Sequence, residues 1–325
     1  MKTQKATQTH FIPTSQLKLY DVVNNKGEDL GQVQNFIIDM YSSRIAYVLI
    51  AFEGFLGLTD KWIPMPFEAL TWIPEKNRFE TDIPRKTMEK APTISKSEWP
   101  DKFLGKLELR DHSAWLESVY DYFNCTPYWI EYGGEPRGME AAKPVMMEAA
   151  ATYVNPERQK SGNVSQSQPG ATAVKTHRDG DGKVKEMKEM KMQAPKKIET
   201  HFVPTSRLKS YDIVGEQGEE LGQVERIIVD MVSGRVAYML VGLKGHASDR
   251  WVAVPPDAMT WQPEKNRFEL DIPRKTLETA PTIPKADWPQ KFLVNLEEKD
   301  HAGWLEDVYA YYNYEPFWIV VETEV

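Results

Sequence analysis

The amino-acid sequence predicts a mainly β protein: two small antiparallel β-barrels, each followed by an amphipathic α-helix and a short extended segment. Three observations lead there. First, the chain states itself twice. His10-Phe11-Ile12-Pro13-Thr14-Ser15 returns as His201-Phe202-Val203-Pro204-Thr205-Ser206, and 24 of 41 positions are identical between residues 10–50 and 201–241. The offset is 191 residues, falling to 189 after Trp62 because the first copy carries two extra residues before it. Solenoid repeats have periods of about 20 to 50 residues, so this spacing describes two whole domains. Second, each copy alternates short β-rich runs with turn residues. Third, each copy ends in aromatic residues at helical spacing.

The elements follow in order. Asp21-Val22-Val23 leads into Asn24-Asn25-Lys26-Gly27-Glu28, whose asparagine and glycine suit a tight turn, and Leu30 to Asp39 reads as the returning strand. Ser42-Ser43-Arg44, or Ser233-Gly234-Arg235, introduces a second apolar run at Ile45–Ile50 or Val236–Val241. Trp62-Ile63-Pro64-Met65-Pro66 matches Trp251-Val252-Ala253-Val254-Pro255; Pro64 lacks an amide donor and so predicts an edge or a bulge, which Ala253 relaxes. Short strands around Ala69–Trp72 and Arg78–Ile83, with Arg267–Ile272 in the second copy, complete five or six strands. Closing such a curled sheet removes its edges, which points to barrels. Trp115, Leu116, Val119, Tyr120 and Phe123 then form one helical stripe, with Trp304, Leu305, Val308, Tyr309 and Tyr312 as its equivalent and Asp111 and Asp300 as caps. Pro127 and Pro316 end the helices ahead of Tyr128-Trp129-Ile130 and Phe317-Trp318-Ile319-Val320.

The expected domains are a flexible tail at 1–9, a first barrel with its helix at 10–132, a flexible linker at 133–200, a second barrel with its helix at 201–321, and a tail at 322–325. The linker differs in composition: serine and glutamine crowd Gly162–Pro169, and lysine alternates with glutamate and methionine over Lys183–Lys197. With no apolar run at its start and none long enough to span a bilayer, the chain reads as soluble. A single cysteine fits a reducing cytoplasm, and a formal charge of -8 argues against general nucleic-acid binding.

No catalytic constellation is visible. His10/His201 and His112/His301 are the equivalent histidine pairs, the first expected to tie down a chain end and the second to serve the first turn of a helix. Cys125 becomes Tyr314 in the other copy, and no serine or cysteine nucleophile has a recognisable setting. Neither metal nor cofactor is expected: paired-cysteine and His-Glu-X-X-His patterns are missing, and His177–Gly182 fails as a calcium loop at both ends. Gly54-Phe55-Leu56-Gly57 is too sparse for a phosphate loop. Asp39 and Asp230 are expected to accept backbone hydrogen bonds in the turns that follow them. All ten tryptophans fall into five equivalent pairs, mostly core, with Tyr128-Trp129 and Phe317-Trp318 the best candidates for contacts that leave their own barrel.

Leu30-Gly31-Gln32-Val33, Asp39, Arg44-Ile45-Ala46-Tyr47-Val48, Trp62 to Pro66 and Ile83-Pro84-Arg85, with their counterparts in the second copy, resemble the PRC-barrel family over residues 14–93 and 205–282. Stand-alone bacterial PRC-barrel proteins and the cytoplasmic barrel of the photosynthetic reaction-centre H subunit share that pattern, as does a domain of a ribosome-maturation protein. The resemblance implies a partner-binding β-barrel with no catalytic set to transfer. The expected function is a non-enzymatic protein-binding or structural adaptor that also self-associates, with Arg85 and Arg274 as electrostatic contacts and Trp129 and Trp318 as apolar anchors. A small-molecule regulatory module is the alternative, followed by an RNA-processing or ribosome-associated role.

Overall fold

The computed structural model of the chain describes residues 2–16, 20–52, 61–99, 111–131, 196–197, 199–208, 211–245, 249–297 and 300–323. It divides into two units, Met1–Ile130 with Ile198–Val325, and Glu131–Lys197. The loop 54–57, the stretch 177–182 and most of the expected linker lie outside the described residues.

The first copy runs β1 (Lys2–Ala6), β2 (Phe11–Pro13), β3 (Asp21–Asn24), β4 (Asp29–Asp39), β5 (Arg44–Ala51), β6 (Lys61–Pro66), β7 (Thr71–Ile73), β8 (Arg78–Thr81), α1 (Arg85–Met88), β9 (Ile94–Ser95), α2 (Asp111–Tyr122) and β10 (Ile130–Glu131). After β11 (Lys196–Lys197), the second copy repeats the order as β12 (Phe202–Pro204), β13 (Asp212–Gly215), β14 (Glu220–Asp230), β15 (Arg235–Leu243), β16 (Arg250–Val254), β17 (Met259–Gln262), β18 (Arg267–Leu270), α3 (Arg274–Thr279) and β19 (Thr282–Pro284). It ends in α4 (Gln290–Glu297), α5 (Asp300–Tyr311) and β20 (Ile319–Thr323). The expected terminal helices are α2 and α5; α4 had no counterpart in the sequence reading. The ends of the chain, expected as tails, pair with each other, β1 antiparallel to β20 from Lys2↔Thr323 to Ala6↔Ile319.

The turns follow local chemistry. Asn24 accepts the amides of Lys26 and Glu28 on its side-chain oxygen, and Gly27 supplies the positive φ of 78° that closes the β3–β4 hairpin. The glycine of the Leu-Gly-Gln-Val word has a packing reason: a Cβ on Gly31 or Gly222 would run into the carbonyl of Ala51 or Gly242 on the adjacent strand. Pro64 behaves as its missing donor requires. In the second copy Ala253 donates to Pro281 O at 3.0 Å and β16 pairs three residues of β19, whereas β6 pairs only Lys61 and Trp62 with β9.

The expectation of two closed antiparallel barrels is overturned. The strands form one open sheet of 16, whose main path is β17-β18-β13-β14-β15-β5-β4-β3-β8-β7, with both copies in it. Each copy also contains a parallel pair, β3 with β8 and β13 with β18, so the sheet is mixed. The physical reason lies at the far ends of the long strands. β3 pairs only the beginning of β4, from Asp29 to Gln32, which leaves the edge of β4 near Asp39 in need of a partner. The other copy supplies it. β12 pairs with β4 through Phe202↔Asp39, Val203↔Ile38 and Pro204↔Ile37, and β2 pairs with β14 through Phe11↔Asp230, Ile12↔Val229 and Pro13↔Ile228. The opening strands are thus exchanged reciprocally. The terminal helices are not: the Tyr120 hydroxyl donates to Ala46 O at 2.6 Å and that of Tyr309 to Ala237 O at 2.8 Å, each within its own copy. One continuous core of buried apolar residues results.

Candidate functional site: the seam between the copies

The exchange brings together residues that the sequence separates by about 190 positions, and each half of the seam is built from the same parts. Asp39 ends β4 and Asp230 ends β14; both are buried. The amide of His201 donates to Asp39 Oδ1 at 2.9 Å, and that of His10 to Asp230 Oδ1 at 2.7 Å. Each aspartate also holds its own turn, as expected: Tyr41 N and the Ser42 hydroxyl donate to Asp39, Val232 N and Ser233 N to Asp230. The same carboxylate that closes the hairpin therefore clamps the other copy's opening strand. Met40 N then donates to His201 O and Met231 N to His10 O, both at 2.8 Å, so the histidines enter the seam through their backbones. Their rings rest on Trp261 and Trp72, at 5.4 Å in each case.

Phe202 and Phe11 are the plugs. Phe202 lies 5.7 Å from Trp129 and 6.5 Å from Tyr47, and Phe11 lies 5.5 Å from Trp318 and 5.7 Å from His301. Trp129 and Trp318 do reach beyond their own copy, but what they meet is the other copy: each is only 2% exposed. Among the described residues neither indole N–H has a hydrogen-bond partner, which makes ring packing their whole contribution.

At the hairpin tips Arg44 and Arg235 stand opposite each other, joined by Ile45 N to Gly234 O at 2.7 Å and Val236 N to Ser43 O at 2.8 Å. Their like charges are accommodated by aromatic faces, Arg44 over Tyr128 at 5.4 Å and Arg235 over Phe317 at 4.5 Å. Burial, then the neighbouring Arg44 charge, lowers the Arg235 pKa.

Arg85 and Arg274 lie away from the seam and mark the starts of α1 and α3. Arg85 donates to Asp29 O and sits 5.0 Å over Phe52; Arg274 donates to Lys244 O and pairs with Glu278 at 3.1 Å. Both are partly exposed. The structure therefore does not gather the four sequence-predicted residues into one place. What sequence reasoning missed is the pair Tyr41 and Val232. They occupy the same repeat position on the two hairpin tips and remain 45% and 47% exposed, among the few large apolar side chains so placed. Their signal was an apolar residue in a turn of both copies.

Burial, then the charge of Glu68, pushes the Cys125 thiol up to about 11, which keeps it protonated near neutrality. Among the described residues no group of three or more His, Cys, Asp or Glu side chains could hold a metal ion, and no helix is long and apolar enough to cross a membrane.

Comparison with known proteins gives the family. No curated protein matches the chain. The PRC-barrel domain matches it twice, over residues 10–88 and 201–277, and both matched segments begin with the exchanged histidine-phenylalanine strand. The domain is a non-catalytic structural module. The chain thus carries two PRC-barrel domains in tandem, each completed by the other's first strand.

Proposed function

We propose that the protein is a non-enzymatic, cytoplasmic protein-binding scaffold in which the two PRC-barrel domains act as a single body. The observation that carries this reading is the reciprocal strand exchange, which fixes two related surfaces in one orientation. Tyr41 and Val232 are the proposed apolar contacts, because the seam below them is already filled and, among the described residues, they are large apolar side chains that stay exposed at the same place on both tips. Arg85 and Arg274, held against their own loops, are the proposed flanking charges. Aromatic anchoring by Trp129 and Trp318 acts indirectly in this reading, by holding the tips in place.

The test is capture of the native complex with the full chain, followed by titration of the purified partner against Tyr41→Ser/Val232→Ser. At least about a tenfold weakening is expected, equivalent to about 1.4 kcal/mol. Unchanged affinity, with an unchanged circular-dichroism spectrum, rejects the tips as the contact surface.

A further inference from the structure

The duplication supplies an internal control at one buried position. β4 and β14 carry a bulge at the same place, where the register slips between Val33 and Asn35 and between Val224 and Arg226. Bulges re-aim the side chain that follows them. In the first copy that side chain is Asn35, which completes the exchanged Thr-Ser turn: Thr205 Oγ1 donates to Asn35 Oδ1 at 3.1 Å, and Asn35 Nδ2 donates to Ser206 Oγ at 3.2 Å. In the second copy Arg226 takes the position. Its guanidinium is held 4.8 Å from the ring centres of both Trp251 and Trp288, with its side chain 19% exposed. Its polar contacts run to Glu225, through the backbone carbonyl at 2.6 Å and the carboxylate at 3.7 Å. Instead of a second completed turn there is a cavity of about 370 Å³, lined by the hydroxyl turns of both copies, Thr14-Ser15 and Thr205-Ser206, together with Glu225, Arg226 and Trp288.

We propose that this cavity binds the phosphate group of a small phosphorylated metabolite. A guanidinium cannot give up its proton, and here its partner is the Glu225 carboxylate of the same cavity; an anion that takes the carboxylate's place meets the guanidinium together with the hydroxyl protons of Thr14, Ser15 and Ser206, that of Thr205 being held by Asn35. An apolar ligand would leave the Thr14 and Ser15 hydroxyls without a partner. The volume suits a small metabolite. The Glu225 carboxylate, 3.7 Å from the guanidinium and one-third exposed, is the group the phosphate displaces. This site stands apart from the apolar tips proposed as the partner surface.

The experiment is calorimetric titration of the full chain with glycerol 3-phosphate, with inorganic phosphate, and with chloride at matched ionic strength, alongside indole N–H spectra. One saturable site for glycerol 3-phosphate is expected, tighter than for inorganic phosphate and missing with chloride, with the Trp251 and Trp288 signals moving. Arg226→Asn, which installs the first copy's residue, should weaken binding at least about tenfold, and Glu225→Gln should tighten it. Should Arg226→Asn fail to fold, Ser15→Ala at an exposed serine must weaken binding in its place. Absence of saturation at about 10 mM ester, equal affinity for the inorganic ion, or variants that bind like the wild type would overturn the assignment.

Discussion

At one end of the seam Asp39 takes the phenol of Tyr128 at 3.1 Å as well as His201 N, Tyr41 N and the Ser42 hydroxyl; at the other, Asp230 faces His10 N, Val232 N and Ser233 N, and Phe317 replaces the tyrosine. Burial raises the Asp230 carboxyl pKa, while the His10 amide and the Ser233 contacts oppose the rise. The two ends share every main-chain bond of the exchange and differ in the side chains packed around it. The difference teaches that the exchange is the common framework, and that divergence has been confined to what fills it, as at Asn35 and Arg226.

The largest test removes the ring that seals each end. Trp129→Ala and Trp318→Ala should each cost about 3 to 5 kcal/mol in urea unfolding, because both rings are buried against the other copy's phenylalanine. Since each copy lacks an edge strand without the other, a single transition is expected in both variants. Two separated transitions would show that the copies unfold independently, and the common framework would be lost as an explanation.

Much of this was legible in the sequence, and what was not has a definite cause. The turns, the Pro64 edge and the terminal helices follow from residue-level chemistry, which acts locally. The exchange does not, because His-Phe-Ile-Pro and His-Phe-Val-Pro are nearly the same word. Either would fit the edge of either long strand, and no pattern of apolar residues distinguishes pairing within a copy from pairing across the duplication. The same ambiguity concealed the clamp: Asp39 and Asp230 were legible as turn residues, but their second role depends on an amide 162 or 220 positions away. Trp129 and Trp318 were expected as apolar anchors for a partner, and the structure buries both rings against the phenylalanine of the other copy's first strand.

A pH titration sharpens the comparison next. His301 is buried beside Phe11, Tyr238 and Trp304, and burial pushes its imidazole down to about 4 from the ordinary 6.5. The unfolded chain therefore takes up this proton first as pH falls. Its contribution to stability is present above about 6.5 and lost progressively toward pH 4, by about 3 kcal/mol in all. His301→Phe should flatten the stability profile across that window; a profile of unchanged slope would mean the imidazole is not the group responsible.

A smaller effect separates the hairpin tips. Gly234 has φ of 68°, and a Cβ there would lie 2.5 Å from the Phe67 ring of the other copy. Gly234→Ala should cost about 2 kcal/mol through crowding at the seam. The equivalent Ser43 already carries a Cβ at φ 53°, with Pro256 as the repeat counterpart of Phe67, so Ser43→Ala should change stability by less than about 0.5 kcal/mol. Equal effects at both tips would contradict the difference in fit.

The smallest effect addresses the clamp itself. Tyr128→Phe makes the first end resemble the second, deleting one donor to Asp39 Oδ2 while the Ser42 hydroxyl remains at 2.6 Å. A loss of about 1 kcal/mol is expected, the net value of one hydrogen bond to a buried, otherwise satisfied carboxylate. The reciprocal change, Phe317→Tyr, offers Asp230 the donor it lacks. It should recover up to about 1 kcal/mol and bring the raised Asp230 carboxyl down, readable by carboxyl NMR titration. If neither substitution moves stability or that titration, the hydroxyl is incidental, and the two ends of the seam differ only in packing; if both move in opposite directions, the phenol is what makes the Asp39 end the tighter clamp.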